Sequence, residues 1–435
     1  MQTNLETLGA LERRLSMAVP AGEIDKEVDD RLRKLSSTVR MHGFRPGKVP
    51  MKIVSQQYGI QVRSEVIGDA VQKEFEQAIE VNKLRVAGNP KIEPGKGEDA
   101  THLSFAATFE VYPEFKLGDI SAVKLEKATL EVTEADVDRT IEVLRKQRVT
   151  YADAGRAAQA QDRVSVDFVG RIDGVEFAGG KGTDMPVVLG EGRMLPDFES
   201  NLTGVKSGDA KTFDVKFPED YGNKELAGKT ASFEIQVKKV EAPQLPAIDA
   251  EFAKALGVAD GDIDKMRVEV RANVEREVKK RLEADIKQKA MQALIDSTPV
   301  ELPKSLVQIE MQRLVQSTRQ DLEARGMKMD QLPINPEMFE TQAKRRVGLG
   351  LIIGELVSTK ELAPKPEQIR ALVEDYAQSY EQPTEMVRWL YSEQQRLAEF
   401  EGLAIESNVV AWVLNNAKVE DKAVSFDEFM NKAAA

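Results

Sequence analysis

Residues 164–180 read VSVDFVGRIDGVEFAGG, and this stretch decides the architecture of the middle of the chain. Val164, Val166 and Phe168 alternate with polar residues, the period-two pattern of a strand with one face buried. The alternation returns at Phe213, Val215 and Phe217, and again at Phe233, Ile235 and Val237. Glycines cluster among these runs. Residues 162 to 241 are therefore expected to form a small β-rich domain of short strands joined by turns.

Outward from this core the pattern changes. Toward the N-terminus, Leu15, Met17 and Val19 alternate as a short strand. Ile24, Val28, Leu32, Leu35 and Val39 then follow helical spacing, with an expected stop at Gly43. A helix restarts after Pro50, another is expected over about 61–83, and Leu103, Phe105, Ala107, Phe109 and Val111 alternate strictly. Residues 113–150 read as a connection with structure of its own. KLEKATLEVT is strand-like, and Thr133 to Asp136 forms an acidic capping box that opens a helix carrying Val137, Ile141 and Leu144. The stretch ADAGRAAQAQ, residues 152–161, is expected to be a flexible boundary.

From residue 246 the chain reads as helical. Val270, Val274, Val278, Leu282 and Ile286 recur every fourth residue, so the apolar stripe winds around the axis and needs different partners along its length. Further helices are expected near 303–325, 336–359, 366–381 and 384–415, with Trp389 and Trp412 in their core. The expected domains are 1–114, a structured connector 115–150, 151–245 and 246–435.

Composition narrows the function classes. At 435 residues the chain exceeds what one core supports. No apolar run approaches the length that crosses a bilayer, and the N-terminus MQTNLETLGALERRL has no apolar signal region, so the expected compartment is the cytoplasm. Zero cysteines exclude disulfides, thiolate catalysis and thiolate zinc sites. Only His42 and His102 could serve a histidine-based centre, and neither lies near a hydrolase motif. No EF-hand spacing and no GxxxxGK[ST] loop occur, so no metal and no nucleotide cofactor are expected.

Charge is segregated. The chain carries net charge −12, yet Arg31 to Ser64 holds eight Lys or Arg and no acid. Such segregation points to a polyanionic partner. Within it lies MHGFRPGKVP, residues 41–50, where Pro46-Gly47 suits a type II turn that presents Phe44, Arg45 and Lys48 outward.

Four motifs follow one another in the middle domain: VSVDFVGRIDGVEFAGG, VVLGEGRMLPDFE (187–199), FPEDYG (217–222) and ASFEIQVKKVE (231–241). The succession resembles the FK506-binding-protein (FKBP) type of peptidyl-prolyl isomerase. Carried over, the resemblance implies a prolyl pocket lined by Phe168, Phe177, Met185, Leu195, Phe198, Tyr221 and Phe233, without a nucleophile. Ala178 stands where many members carry an acid, and Met185 and Phe198 stand for an aromatic and, commonly, a tryptophan. With GFRPGKVP ahead of that domain and a long helical region after it, the whole chain resembles the trigger factor family of ribosome-associated bacterial chaperones.

This resemblance implies an α+β multidomain protein: an N-terminal α+β ribosome-binding domain, an FKBP-like antiparallel β domain and an extended all-α body with arms. It implies docking of Phe44, Arg45, Gly47 and Lys48 at the tunnel exit of the large ribosomal subunit, on protein and rRNA. Pro46 stands where members often carry a lysine. Nascent and unfolded polypeptides are the implied clients, with no DNA or membrane partner, and a homodimer off the ribosome follows from the resemblance only. The expected function is an ATP-independent chaperone that isomerises X–Pro bonds. Two other readings stay open at this point: a free-standing isomerase with client-delivery regions, and an RNA-binding or ribosome-assembly factor on an isomerase scaffold.

Overall fold

The alternation at Leu15, Met17 and Val19 becomes a nine-residue strand because all three side chains can be buried on one face while Arg14, Ser16 and Ala18 are less covered. The computed structural model describes residues 4–42, 44, 47–95, 101–327 and 334–431. In chain order the N-terminal part holds β1 (Asn4–Thr7), β2 (Glu12–Pro20), α1 (Ala21–Thr38), α2 (Met51–Val81), β3 (Val86–Pro94) and β4 (His102–Val111). The strands form an antiparallel sheet ordered β1-β2-β4-β3. Its apolar face packs against α1 and α2, and Phe75 meets Phe109 edge to face at 5.1 Å.

Two helix boundaries differ from expectation. Helix α1 stops at Thr38 rather than Gly43, and Val39 is extended. The hydroxyls of Ser36, Ser37 and Thr38 donate to carbonyls three or four residues back, offering the backbone an alternative to further helix. The two helices expected after Pro50 are one, α2, because Gly59 lowers helix propensity without breaking the hydrogen-bond ladder.

The middle of the chain contributes β5 (Lys124–Thr129), α3 (Glu134–Gln147), β6 (Thr150–Asp153), β7 (Arg163–Ile172), β8 (Val175–Val188), α4 (Pro196–Leu202), β9 (Ala210–Lys216) and β10 (Thr230–Gln244). The capping box is present: the Thr133 N–H donates to the Asp136 carboxylate at 2.9 Å. The long strand β10 pairs antiparallel with β7 along one edge and with β9, then β6, along the other. Strands β7 and β8 are joined by Asp173 and Gly174 at φ 51° and 82°, the hairpin turn that a DG pair favours. The stretch 152–161 is not a loose boundary. It enters β6, and Ala158 is buried, exchanging backbone hydrogen bonds of 2.8 Å with Val205 and Gly204.

The remainder is α5 (Ala250–Ala255), α6 (Ile263–Ser297), α7 (Lys304–Ala324), a 3-10 turn (Pro336–Phe339), α8 (Glu340–Lys360), α9 (Pro366–Ala377), α10 (Pro383–Tyr391), α11 (Gln394–Asn416), β11 (Lys418–Ala423) and α12 (Phe426–Asn431). The helical region thus also carries one short strand, β11, paired with β5. The winding stripe of α6 does serve different partners. Val270, Val274 and Val278 join a core with Val137, Ile141 and Phe252, whereas Ala290, Met291 and Leu294 join one with Ile352, Leu356 and Val413. The helix expected over 384–415 is two, broken where Glu393 is extended.

Contacts divide the chain into two units: Met1–Lys127 with Ala284–Lys422, and Ala128–Glu283 with Ala423–Ala435. In the first, the N-terminal sheet is clamped to α7. Helix α7 has no side-chain cap of its own, and Glu110 on β4 supplies one, accepting the N–H groups of Lys304 (3.0 Å) and Ser305 (2.7 Å). The Ser305 hydroxyl donates back to the Ala87 carbonyl at 2.8 Å. Burial opposes ionisation of Glu110, but these N–H donors outweigh it and hold its pKa below the ordinary glutamate value. Its stabilising contribution is therefore complete above about pH 4.3 and is lost as pH falls through the lower folded value. Glu110→Ala is expected to lower stability by about 1 kcal/mol in a denaturant titration at neutral pH, as a lost helix cap does. The difference from the unmodified chain should shrink in acid.

Candidate functional site

The side chains of the middle sheet build one aromatic cluster. Phe233 on β10 is its centre, with ring centroids 5.2 Å from Phe198, 6.0 Å from Phe168, 6.1 Å from Phe177 and 6.4 Å from Phe213. Strand alternation directs Phe168 and Phe233 to the same face, and α4 lays Phe198 across it. Edge-to-face geometry predominates, which suits the ring quadrupoles.

The seven side chains expected in a prolyl pocket differ in access. Phe198 is 2% exposed, and Phe168 and Phe233 are buried, so these three form a floor. Phe177, Met185 and Leu195 are half-buried against it and keep atoms open to solvent. Tyr221 is 38% exposed and meets the ring of Phe217 at a distance of 4.8 Å. Three further contributors were not singled out from the sequence: Phe217, 5.9 Å from Phe177, and Met194 and Ile172, packed on the same core. Their signal was available, since Met194 precedes Leu195 and Phe217 opens FPEDYG.

Backbone approaches the rings closely on one side. A β-carbon at Gly182 would lie 2.4 Å from Phe168 Cε1, and one at Gly170 would lie 2.7 Å from Phe233 Cε1. Gly182 thus leaves the space that Phe168 fills. Gly182→Ala is expected to displace that ring, cost about 1–3 kcal/mol in thermal unfolding and lower any activity that uses these rings.

Nearby, Asp162 has a side chain only 1% exposed and is held by Arg156 at 2.5 and 3.0 Å and by the Gln159 N–H at 2.8 Å. Burial alone would push its carboxyl up, but Arg156 and Gln159 outweigh it and hold the pKa below the ordinary aspartate value. This stabilisation is present above about pH 3.9 and disappears as pH falls through the lower folded value.

The basic segment resolves into paired and unpaired cations. Arg31 bonds Glu27 at 3.0 Å and Asp69 at 2.8 Å, Arg33 lies 3.6 Å from Asp30, and Arg63 lies 2.7 Å from Asp25. Lys34, Arg40, Lys48 and Lys52 are exposed and have no carboxylate partner among the described residues. Phe44 is 38% exposed, and Gly47 has φ 78°, the value that the second central position of a type II turn requires. Arg45 and Pro46 lie outside the described residues.

In the helical region both tryptophans are expected in the core; Trp412 is half-buried against it, but Trp389 is 53% exposed. It lies off the inward stripe of α10 formed by Met386, Val387 and Leu390, and Arg396 covers its ring at 4.0 Å. Tyr376, Tyr380 and Tyr391 are also exposed in this part. No helix among the described residues is long and apolar enough to cross a membrane.

The antiparallel sheet, its short helix and the aromatic cluster define a class: residues 154–238 match the FKBP-type peptidyl-prolyl cis-trans isomerase family. Residues 1–144 match the bacterial trigger factor protein, and residues 262–415 match its C-terminus. The chain is 56% identical to the trigger factor of Aromatoleum aromaticum, with 100% of both chains covered. It is 52% identical to that of Dechloromonas aromatica, over 99% of this chain and 100% of the other. The trigger factor of Nitrosospira multiformis is also 52% identical, with 100% of both covered. The chain belongs to the trigger factor family, chaperones that carry an FKBP-type prolyl isomerase domain.

Proposed function

We propose that the protein attaches to the large ribosomal subunit at the tunnel exit through the loop around Phe44 and receives nascent chains there, in the cytoplasm. The observation that carries this reading is the exposed Phe44 on a segment with four exposed cations that have no carboxylate partner among the described residues, on a chain of net charge −12. Phosphate in rRNA supplies the opposite charge, and Phe44 adds an apolar anchor to it. Arg45 belongs to the same proposed contact, as do Gly47, which shapes the turn, and Lys48. The exposed aromatics of α9 and α10 offer weak apolar contacts that an unfolded segment makes and then loses as its own core forms. No nucleotide is needed for such release.

For the isomerase activity, Phe177, Met185, Leu195 and Tyr221 would contact the X–Pro segment over the floor of Phe168, Phe198 and Phe233. Twisting the C–N bond breaks amide resonance, a barrier of about 18–20 kcal/mol. An apolar cleft stabilises the twisted, less polar form relative to the planar amide, and such differential stabilisation is catalysis.

The test is a salt titration of binding to 70S ribosomes, with naked rRNA in parallel. If these four cations and Arg45 all meet phosphate, log affinity should fall with log salt with a slope of about −3.5 to −4.5, at 0.7–0.9 per contact. Equal affinity for naked rRNA would overturn ribosome docking in favour of generic RNA binding.

A further inference from the structure

Four polar or charged side chains are buried among the described residues: Asp136, Asp162, Thr298 and Glu199. The first serves the capping box of α3, the second meets Arg156, and Thr298 accepts the Gly118 N–H through its hydroxyl. Glu199 is different. It is 9% exposed, lies on α4 directly after Phe198, and has no cation within ion-pair distance among the described residues. Its two oxygens accept only backbone donors: Gly190 N–H on Oε2 at 3.0 Å and Met194 N–H on Oε1 at 3.1 Å. A carboxylate taken out of water without a cation is costly, and an apolar side chain of similar volume would fill the position more cheaply.

Its two partners explain what it does there. Gly190 and Met194 bracket the loop that follows β8 and Leu189 and returns at Leu195, the N-cap of α4. Met194 and Leu195 lean on the aromatic core from this loop. Phe198, one residue before Glu199, touches Phe168, Phe213 and Phe233. One turn of α4 therefore joins the floor of the cleft to its wall: Phe198 enters the floor, and Glu199 holds both ends of the wall loop.

We infer that Glu199 is a positioning residue for prolyl isomerisation, fixing the 190–195 loop so that Met194 and Leu195 stand at a set distance from the aromatic floor. A bidentate acceptor is required because the two N–H groups lie four residues apart and are held by one side chain. Glutamine at this position keeps one acceptor oxygen and turns its amide N–H₂ toward the other donor. The inference rests on the cleft being the isomerase site.

The test uses the full chain with Glu199→Gln, and Asp214→Asn as a control on an exposed carboxylate of β9, outside the loop. Protease-coupled isomerisation of a proline tetrapeptide gives kcat and KM separately, and thermal unfolding and amide hydrogen exchange are measured on the same samples. Glu199→Gln is expected to lower kcat about ten-fold with KM within about two-fold, because a loosened wall loses stabilisation of the twisted form more than of the planar one. Exchange at Gly190 and Met194 should accelerate while the unfolding midpoint stays near that of the unmodified chain. Asp214→Asn should leave all readouts unchanged. A kcat within two-fold of native overturns the positioning role, as does a loss that merely tracks the unfolded fraction. An unmodified chain inactive on the peptide overturns the isomerase cleft itself.

Discussion

Phe44→Ala/Arg45→Ala/Lys48→Ala is expected to abolish co-sedimentation with 70S ribosomes while leaving isomerisation of a proline peptide intact. The substitution removes the apolar anchor and two cations from a segment where three other cations are already neutralised by neighbouring acids. Loss of a buried interface aromatic alone costs about 2 kcal/mol or more. Loss of two phosphate contacts should also reduce the log–log salt slope by about 1.4 to 1.8. The combined loss of affinity is about 100-fold or greater at physiological salt. Folding is not at risk, since Phe44 and Lys48 are exposed and neither belongs to the N-terminal core. Retained co-sedimentation with an unchanged salt slope would sink the docking proposal.

Phe177→Ala and Phe198→Ala should separate in their effects, although both remove a ring from the same cluster. Phe198 is 2% exposed and contacts three other rings, so its truncation should cost about 3–5 kcal/mol. That is a large share of a domain's stability, and fold and activity should fail together. Phe177 is half-buried, and among the described residues its ring meets those of Phe217 and Phe233. Its truncation should lower kcat/KM about 10- to 100-fold while the domain stays folded at 25 °C. Calorimetry and the peptide assay on the same samples check both. A folded, fully active Phe177→Ala protein would place the reacting bond elsewhere.

Legibility varied with the range of the interaction. The strands at Val164–Phe168 and Leu103–Val111 were readable because alternation follows from the pleat itself. The capping box at Thr133 was readable because its partners are three residues apart. The C-terminal end of α1 and the continuity of α2 differ from expectation even though their determinants are local. The Ser36–Thr38 hydroxyls end the first helix, and Gly59 fails to break the second.

Other features have no local determinant. Trp389 sits in an apolar run, but the short α10 turns its indole outward. Arg31 and Arg63 looked available to a polyanion until α1 and α2 brought Asp69 and Asp25 against them. Of the aromatic cluster, the motifs marked seven side chains but passed over Phe217, Met194 and Ile172. They did not say which were floor.

The amino-acid sequence by itself determined the strand and helix periods, the order of regions and the family, because these depend on residues close along the chain or on whole motifs. Only the tertiary structure decided that Glu110 caps α7 across 194 residues, that β10 carries three neighbours, and that Glu199 grips the loop beside the aromatic floor. Each of these depends on where distant backbone N–H groups come to rest, and a backbone donor carries no mark in the sequence.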